Sequence, residues 1–125
     1  MPESQKISIL LVEDHAATGR AVDKYLSSMG YNVQLAADVA SARKLAAENA
    51  FDVLVCDIQL PDGNGCDLMR ELNRKRLLPG IAISGFASEG DVERSARAGF
   101  IKHLAKPFSP EDLTAALQSW PVPSS

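Results

Sequence analysis

No apolar stretch in these 125 residues approaches the length of a membrane span, and no basic segment leads into a long apolar run near Met1. The expectation is therefore a cytoplasmic domain that inserts into no membrane. Cysteine is scarce. Cys56 falls within an apolar run and Cys66 near a helix start, so the pair reads as two buried or half-buried thiols rather than a disulfide framework. Positive charge is not in surplus either: thirteen Lys and Arg face sixteen Asp and Glu, for a net charge of -3. A nucleic-acid surface is usually basic, and no DNA-reading module is visible, so no direct nucleic-acid binding is expected. There is no internal repeat and no long low-complexity tract. The length fits one domain, large enough to bury a core without covalent staples.

What is present is a fivefold alternation of short apolar runs and helix-like stretches. Ile7 to Val12 is almost wholly apolar, the pattern of a strand covered on both faces. Val22, Tyr25, Leu26 and Met29 follow at helical spacing, closed by Gly30 in a left-handed cap. Tyr31 to Leu35 alternates apolar with polar, as a strand nearer the sheet edge would. Asp38 can cap a helix with Val39, Ala42, Leu45 and Ala46 on one face. Phe51 to Cys56 is a third strand, and Pro61 to Gly65 a turn cluster. Leu68, Met69 and Leu72 mark a third helix with a basic outer face at Arg70, Arg74, Lys75 and Arg76. Pro79-Gly80 precedes the fourth strand, Ile81 to Ile83. Ser88 to Asp91 resembles a capping box whose helix closes at Gly99. Phe100 to Leu104 is the fifth strand. Ser109-Pro110-Glu111-Asp112 opens a last helix with an apolar stripe at Leu113, Ala116, Leu117 and Trp120. Residues 1–120 read as the domain and 121–125 as a linker or tail.

Repeated strand–helix units give parallel strands joined by right-handed crossovers, with helices on both faces. In such sheets the functional site lies beyond the carboxyl ends of the strands. There the sequence places Glu13-Asp14, Asp57, Ser84 and Lys106 after strands one, three, four and five. Three carboxylates, a hydroxyl and an ammonium should meet at one rim. Two carboxylates about 4 Å apart repel by roughly 4 kcal/mol at an effective dielectric of 20, so such a cluster calls for a cation. Oxygen donors without His or Cys suit a hard ion such as Mg²⁺. Lys106 offers a mobile charge for a phosphoryl oxygen, and Asp can serve as nucleophile in aspartyl-phosphate chemistry. Each residue alone has an ordinary explanation: Asp14 a cap or solvated acid, Asp57 a turn acid, Ser84 a turn, Lys106 a surface lysine. Their placement at four strand ends of one sheet favours a shared site.

These segments together closely resemble the receiver domain of two-component response regulators. The likeness runs from Ile7 to about Trp120 and rests on Ile9 to Asp14, Asp57 to Gly65, Ile83-Ser84-Gly85, and Ala98-Gly99-Phe100 leading to Lys106-Pro107-Phe108. It implies a flavodoxin-like (βα)5 α/β sandwich whose five-stranded parallel sheet has the order 2-1-3-4-5. It implies that Asp57 is the phosphoacceptor, loaded from a phosphohistidine on a histidine kinase or histidine-phosphotransfer domain. Glu13, Asp14, Asp57 and the backbone carbonyl of Gln59 would hold Mg²⁺ (or Mn²⁺). Lys106 would pair with Asp57 and then with the phosphoryl group, Ser84 would swing in to bond it, and Pro107 would follow a cis peptide bond. The output surface would span the fourth helix, fifth strand and fifth helix. A signalling role as a monomer is expected, not turnover of an external substrate.

Three positions depart from the family's usual pattern. Glu13 stands for the more common Asp. His103 occupies the place of the switch aromatic, either as a mobile imidazole, with a possible pH response, or as a partly exposed residue that switches nothing. Gln59 and Phe86 sit where the family tunes loss of the phosphoryl group. Two other readings compete: an Mg²⁺-dependent phosphohydrolase using Asp57, for which Gln59 is no general acid and the chain too short for a cap, and a docking module that no longer accepts phosphate. The Pro-Val-Pro-Ser-Ser ending is similar to receivers at the C-terminus of hybrid histidine kinases, which would tether this domain to a membrane only through its parent.

Overall fold

A computed structural model describes residues 7–85 and 89–118. Its elements in chain order are β1 (Ser8–Val12), α1 (Ala16–Ser28), β2 (Asn32–Ala36), α2 (Val39–Glu48), β3 (Val53–Asp57), β4 (Gln59–Leu60), β5 (Gly63–Asn64), α3 (Gly65–Lys75), β6 (Gly80–Ser84), α4 (Glu89–Ala98), β7 (Phe100–Ala105) and α5 (Pro110–Gln118). Five strands form one parallel sheet in the order β2-β1-β3-β6-β7. Counting only that sheet, this is the expected order 2-1-3-4-5. The edge strand β2 is the one whose sequence alternates.

Side chains alternate across a strand, which divides the core into two layers. Leu10, Val12, Leu54, Cys56 and Ala82 face α2, α3 and α4, meeting Val39, Ala42, Leu68, Met69, Leu72 and Ala98. Ile9, Leu11, Val53, Val55, Ile81 and Ile83 face the other way, toward Leu26 of α1 and Leu113, Ala116 and Leu117 of α5. The strands in the middle are buried on both sides, so their sequences are nearly continuous apolar runs.

Local signals act where the sequence puts them. Asp38 accepts from the Ser41 amide at the start of α2. Ser109 and Asp112 exchange side chain–backbone hydrogen bonds, each 3.1 Å, at the start of α5. Gly30 and Gly99 close α1 and α4 with φ of 98° and 116°, values that any side chain would strain. Cys56 and Cys66 are buried free thiols, as expected.

The differences are small and physical. Met29 leaves the apolar stripe of α1: it is the C-cap and is 51% exposed. The Pro61 to Gly65 cluster is more than a turn, because β4 and β5 pair across Pro61-Asp62 as a two-stranded hairpin. Phe51 is buried yet precedes the strand, and Gly80 belongs to β6. The expected cap at Ser88 and the stripe position Trp120 lie outside the described residues. Among those described, no helix is long and apolar enough to cross a membrane.

Candidate functional site at the carboxyl edge of the sheet

The parallel register assembles the rim. Val12 pairs with Cys56, Asp57 with Ile83, and Ser84 with Ala105. The first polar residues beyond β1 and β7, Glu13 and Lys106, therefore flank the terminal residues of β3 and β6, Asp57 and Ser84. The expected residues come together at one edge.

Lys106 links them. Its Nζ lies 3.0 Å from Asp57 Oδ2 and donates to Glu13 Oε2 at 3.2 Å. It also stands 3.0 Å from Glu13 Oε1 as an ion pair, but that buried oxygen receives no hydrogen bond of good geometry among the described residues. Glu13 and Asp57 are 3% and 5% exposed, while Asp14 is exposed. Glu13 Oε2 also accepts from the His15 amide. The cluster is thus two buried acids sharing one ammonium, with a third acid at the mouth.

This arrangement sets the electrostatics. Burial pushes the Asp57 carboxyl up to about 7 from an ordinary 3.8. The Lys106 hydrogen bond opposes that rise, and repulsion from the Glu13 carboxyl adds to it. For Lys106 burial acts downward, yet its hydrogen bonds to Asp57 and Glu13 outweigh that and hold the ammonium above its usual range. Burial raises the Cys56 thiol, which stays protonated and donates to the Asp57 carbonyl at 3.1 Å.

One carboxylate oxygen each from Glu13, Asp14 and Asp57 lies within 4.8 Å of the others. Three acids against one lysine leave an excess of negative charge when all are ionised, and Glu13 Oε1, though ion-paired, receives no well-aligned hydrogen bond among the described residues. That set fits a hard divalent cation. Asp14, Asp57, Gln59, Leu60, Pro61, Gly85 and Lys106 line an open cleft beside it.

The backbone around Asp57 is tightly fixed. Ile58 N donates to Ile83 O at 3.0 Å, Gly65 N to Ile58 O at 2.7 Å, and Asn64 caps α3 through the Cys66 amide. A Cβ at residue 65 would sit 2.3 Å from the Asp57 carbonyl oxygen. Gly65→Ala is therefore expected to lower stability by about 1–3 kcal/mol or more in urea denaturation. Wild-type stability in that variant would show that α3 can draw back from Asp57.

Ser84 is buried at the end of β6. The Lys106–Pro107 peptide is cis. His103, half-buried on β7, lies 2.9 Å through Nδ1 from Ser95 Oγ of α4. Ser95 spends its one hydroxyl hydrogen on Val92 O at 2.8 Å, so Nδ1 must be the donor. Gln59 is exposed, and Phe86 lies outside the described residues.

Two features escaped the sequence reading. The cap of α1 is His15, whose Nδ1 accepts from Thr18 N, and not Asp14. Glu13 shares Lys106 with Asp57 instead of serving the cluster only as an acid. Placing Glu13 next to Lys106 requires the strand order, which local pattern does not supply.

Residues 9–118 match the response regulator receiver domain. The chain belongs to that family. It is 34% identical over 112 residues to the uncharacterized transcriptional regulatory protein YcbL of Bacillus subtilis, covering 88% of this chain and 49% of that protein. It is 32% identical over 110 residues to the signal transduction histidine-protein kinase BarA of Shigella flexneri, covering 86% of this chain and 12% of the kinase. Among solved structures, the non-phosphorylated HemR receiver domain of Leptospira biflexa superposes with a TM-score of 0.87 at 32% identity, over 96% of this chain and 100% of that one. The receiver spans about half the length of the transcriptional regulators it matches. It is a signalling domain with the flavodoxin-like fold of its family.

Proposed function

We propose that this receiver accepts a phosphoryl group on Asp57 from a phosphohistidine, with a divalent cation, Mg²⁺ or Mn²⁺, held by Glu13, Asp14, Asp57 and the Gln59 carbonyl. The observation that carries the reading is a buried Asp57 in contact with Lys106 inside a cluster of three carboxylates. A carboxylate oxygen of Asp57 attacks phosphorus while the bond from phosphorus to the imidazole nitrogen breaks, and the electron pair leaves with the imidazole. The bound cation would neutralise charge on the transferring oxygens. Lys106 is already charged and placed to move from the carboxylate to a phosphoryl oxygen. Ser84 on the neighbouring strand supplies a hydroxyl donor. Relatives that are regulators and one that is a kinase both support a donor carrying a phosphohistidine, on a histidine kinase or a histidine-phosphotransfer domain.

Contacts of Lys106 and Ser84 with the phosphoryl group exist only once it is present, and such differential contacts can shift a two-state equilibrium. His103, tied to Ser95, links β7 to α4 and is the residue through which that shift would reach the surface formed by α4, β7 and α5.

The direct test is incubation with acetyl phosphate and Mg²⁺, followed by intact mass. One phosphoryl adduct per chain is expected, and no adduct would remove the proposal. Asp14→Ala should weaken Mg²⁺ binding by at least about tenfold, the loss seen even for groups that only support a metal ligand. Because Asp14 is exposed, the metal-free fold should hardly change. Unchanged affinity in calorimetric titration would take Asp14 out of the metal site.

A further inference from the structure

Asp62 lies outside the acidic cluster, at the tip of the β4–β5 hairpin. Its Oδ1 accepts from Val39 N at 2.7 Å and its Oδ2 from Ala40 N at 3.1 Å. These are the first two amides of α2, donors that the helix itself leaves without partners. The helix already has a local cap, because Asp38 accepts from Ser41 N at 2.8 Å. One helix start is thus held by two carboxylates, one adjacent in sequence and one reaching across from the hairpin. The Val39 amide, followed by that of Ala40, outweighs desolvation and keeps the Asp62 carboxyl below its usual range. Its negative charge at neutral pH faces the positive end of the helix.

The hairpin needs such an anchor. Its strands have two residues each, pairing Gln59 with Asn64 and Leu60 with Gly63, and a two-stranded ribbon is marginal even when longer. The bonds from Ile58 to Ile83, from Gly65 to Ile58 and from Cys66 to Asn64 all fasten its base. Asp62 fastens its tip. The hairpin also runs close beside the helix: a Cβ added at Gly63 would lie 3.1 Å from Val39 Cγ2. Gln59 belongs to this hairpin.

We infer that Asp62 is a positioning residue for the phosphoacceptor loop, clasping the first turn of α2 so that the Gln59 carbonyl stays where a divalent cation beside Asp57 would need it. The inference rests on the metal site proposed above.

The test compares Mg²⁺ affinity by calorimetric titration in the unaltered protein, Asp62→Ala, Asp62→Asn and Asp38→Ala. Asp62→Ala should bind several-fold more weakly, and Asp62→Asn, which keeps one acceptor oxygen, should fall between. Asp38→Ala weakens the same helix end without touching the hairpin, so it should bind as the unaltered protein does. Without metal, amide hydrogen exchange across residues 59–64 should quicken in Asp62→Ala and stay unchanged in Asp38→Ala. Equal affinity in Asp62→Ala and the unaltered protein would overturn the inference alone. So would an equal loss in Asp38→Ala, which would trace the effect to helix stability. Failure of the unaltered protein to bind Mg²⁺ would overturn the metal reading and this inference with it.

Discussion

Asp57→Asn is expected to take up no phosphoryl group from acetyl phosphate and Mg²⁺, and yet to unfold at a higher temperature than the unaltered receiver when no divalent metal is present. The first result follows from chemistry: an amide oxygen is a poor nucleophile, and of the two buried carboxylates that share Lys106 only that of Asp57 lines the open cleft. The second follows from burial. Asp57 is 5% exposed and its carboxyl is pushed up to about 7, so ionising it within the fold is unfavourable. A shift from 3.8 to about 7 corresponds at neutral pH to roughly 2–4 kcal/mol of lost stability. The opposing Lys106 bond is already contained in that shift, and the asparagine is nearly isosteric, so the gain should be of that same order, several degrees in thermal midpoint for a domain of this size. Intact mass and a thermal scan in chelator check both. An adduct on Asp57→Asn would move the acceptor elsewhere. A lower midpoint would mean that the Lys106 bond outweighs burial.

Receivers are legible in sequence where their signals are local. The strands β1, β3 and β6 announce themselves as apolar runs because both of their faces are covered. Glu13 and Asp57 stand out because each is the first polar residue after such a run, with Asp14 beside Glu13, whereas Lys106 follows a strand that is itself partly polar and exposed. Asp38 and Ser109 could be named as caps because their partners lie three residues away. What escaped depends on distance along the chain. Asp62 meets α2 across 23 residues, and nothing in Pro61-Asp62-Gly63 points there rather than to solvent. Lys106 meets Glu13 across 93 residues, so their pairing needs the strand order first. Met29 fits the helical spacing of its neighbours, but Gly30 ends the helix one turn too early for it to be covered. At the start of α1 no cap is read beyond the ordinary explanation of Asp14: assigned to the carboxylate cluster, Asp14 stands at its mouth, and the cap is the His15 imidazole.

Raising the pH from about 4 to about 7 is expected to weaken the metal-free fold, and Mg²⁺ to restore it. Over that window the folded protein keeps a proton on Asp57 that the unfolded chain, near its ordinary 3.8, has already released. The unfolded state then binds fewer protons, so stability falls as pH rises, and this contribution is spent once the folded carboxyl ionises near 7. Lys106 does not blur the window, because a pKa raised above 10.5 acts only in alkaline solution. Asp62, lowered below 3.8, acts only in acid. The difference between the unaltered protein and Asp57→Asn removes whatever other groups contribute to both. A cation bound by Glu13, Asp14 and Asp57 requires the ionised carboxylate and displaces the proton. Mg²⁺ at 100 times its dissociation constant should add about 2.7 kcal/mol above pH 7 and much less at pH 5. Urea denaturation at both pH values, with Mg²⁺ and with chelator, measures all four corners. The same slope in Asp57→Asn as in the unaltered protein would assign the pH effect to other groups. An Mg²⁺ gain no larger at pH 7.5 than at pH 5 would mean that the ion binds away from the titrating carboxylate.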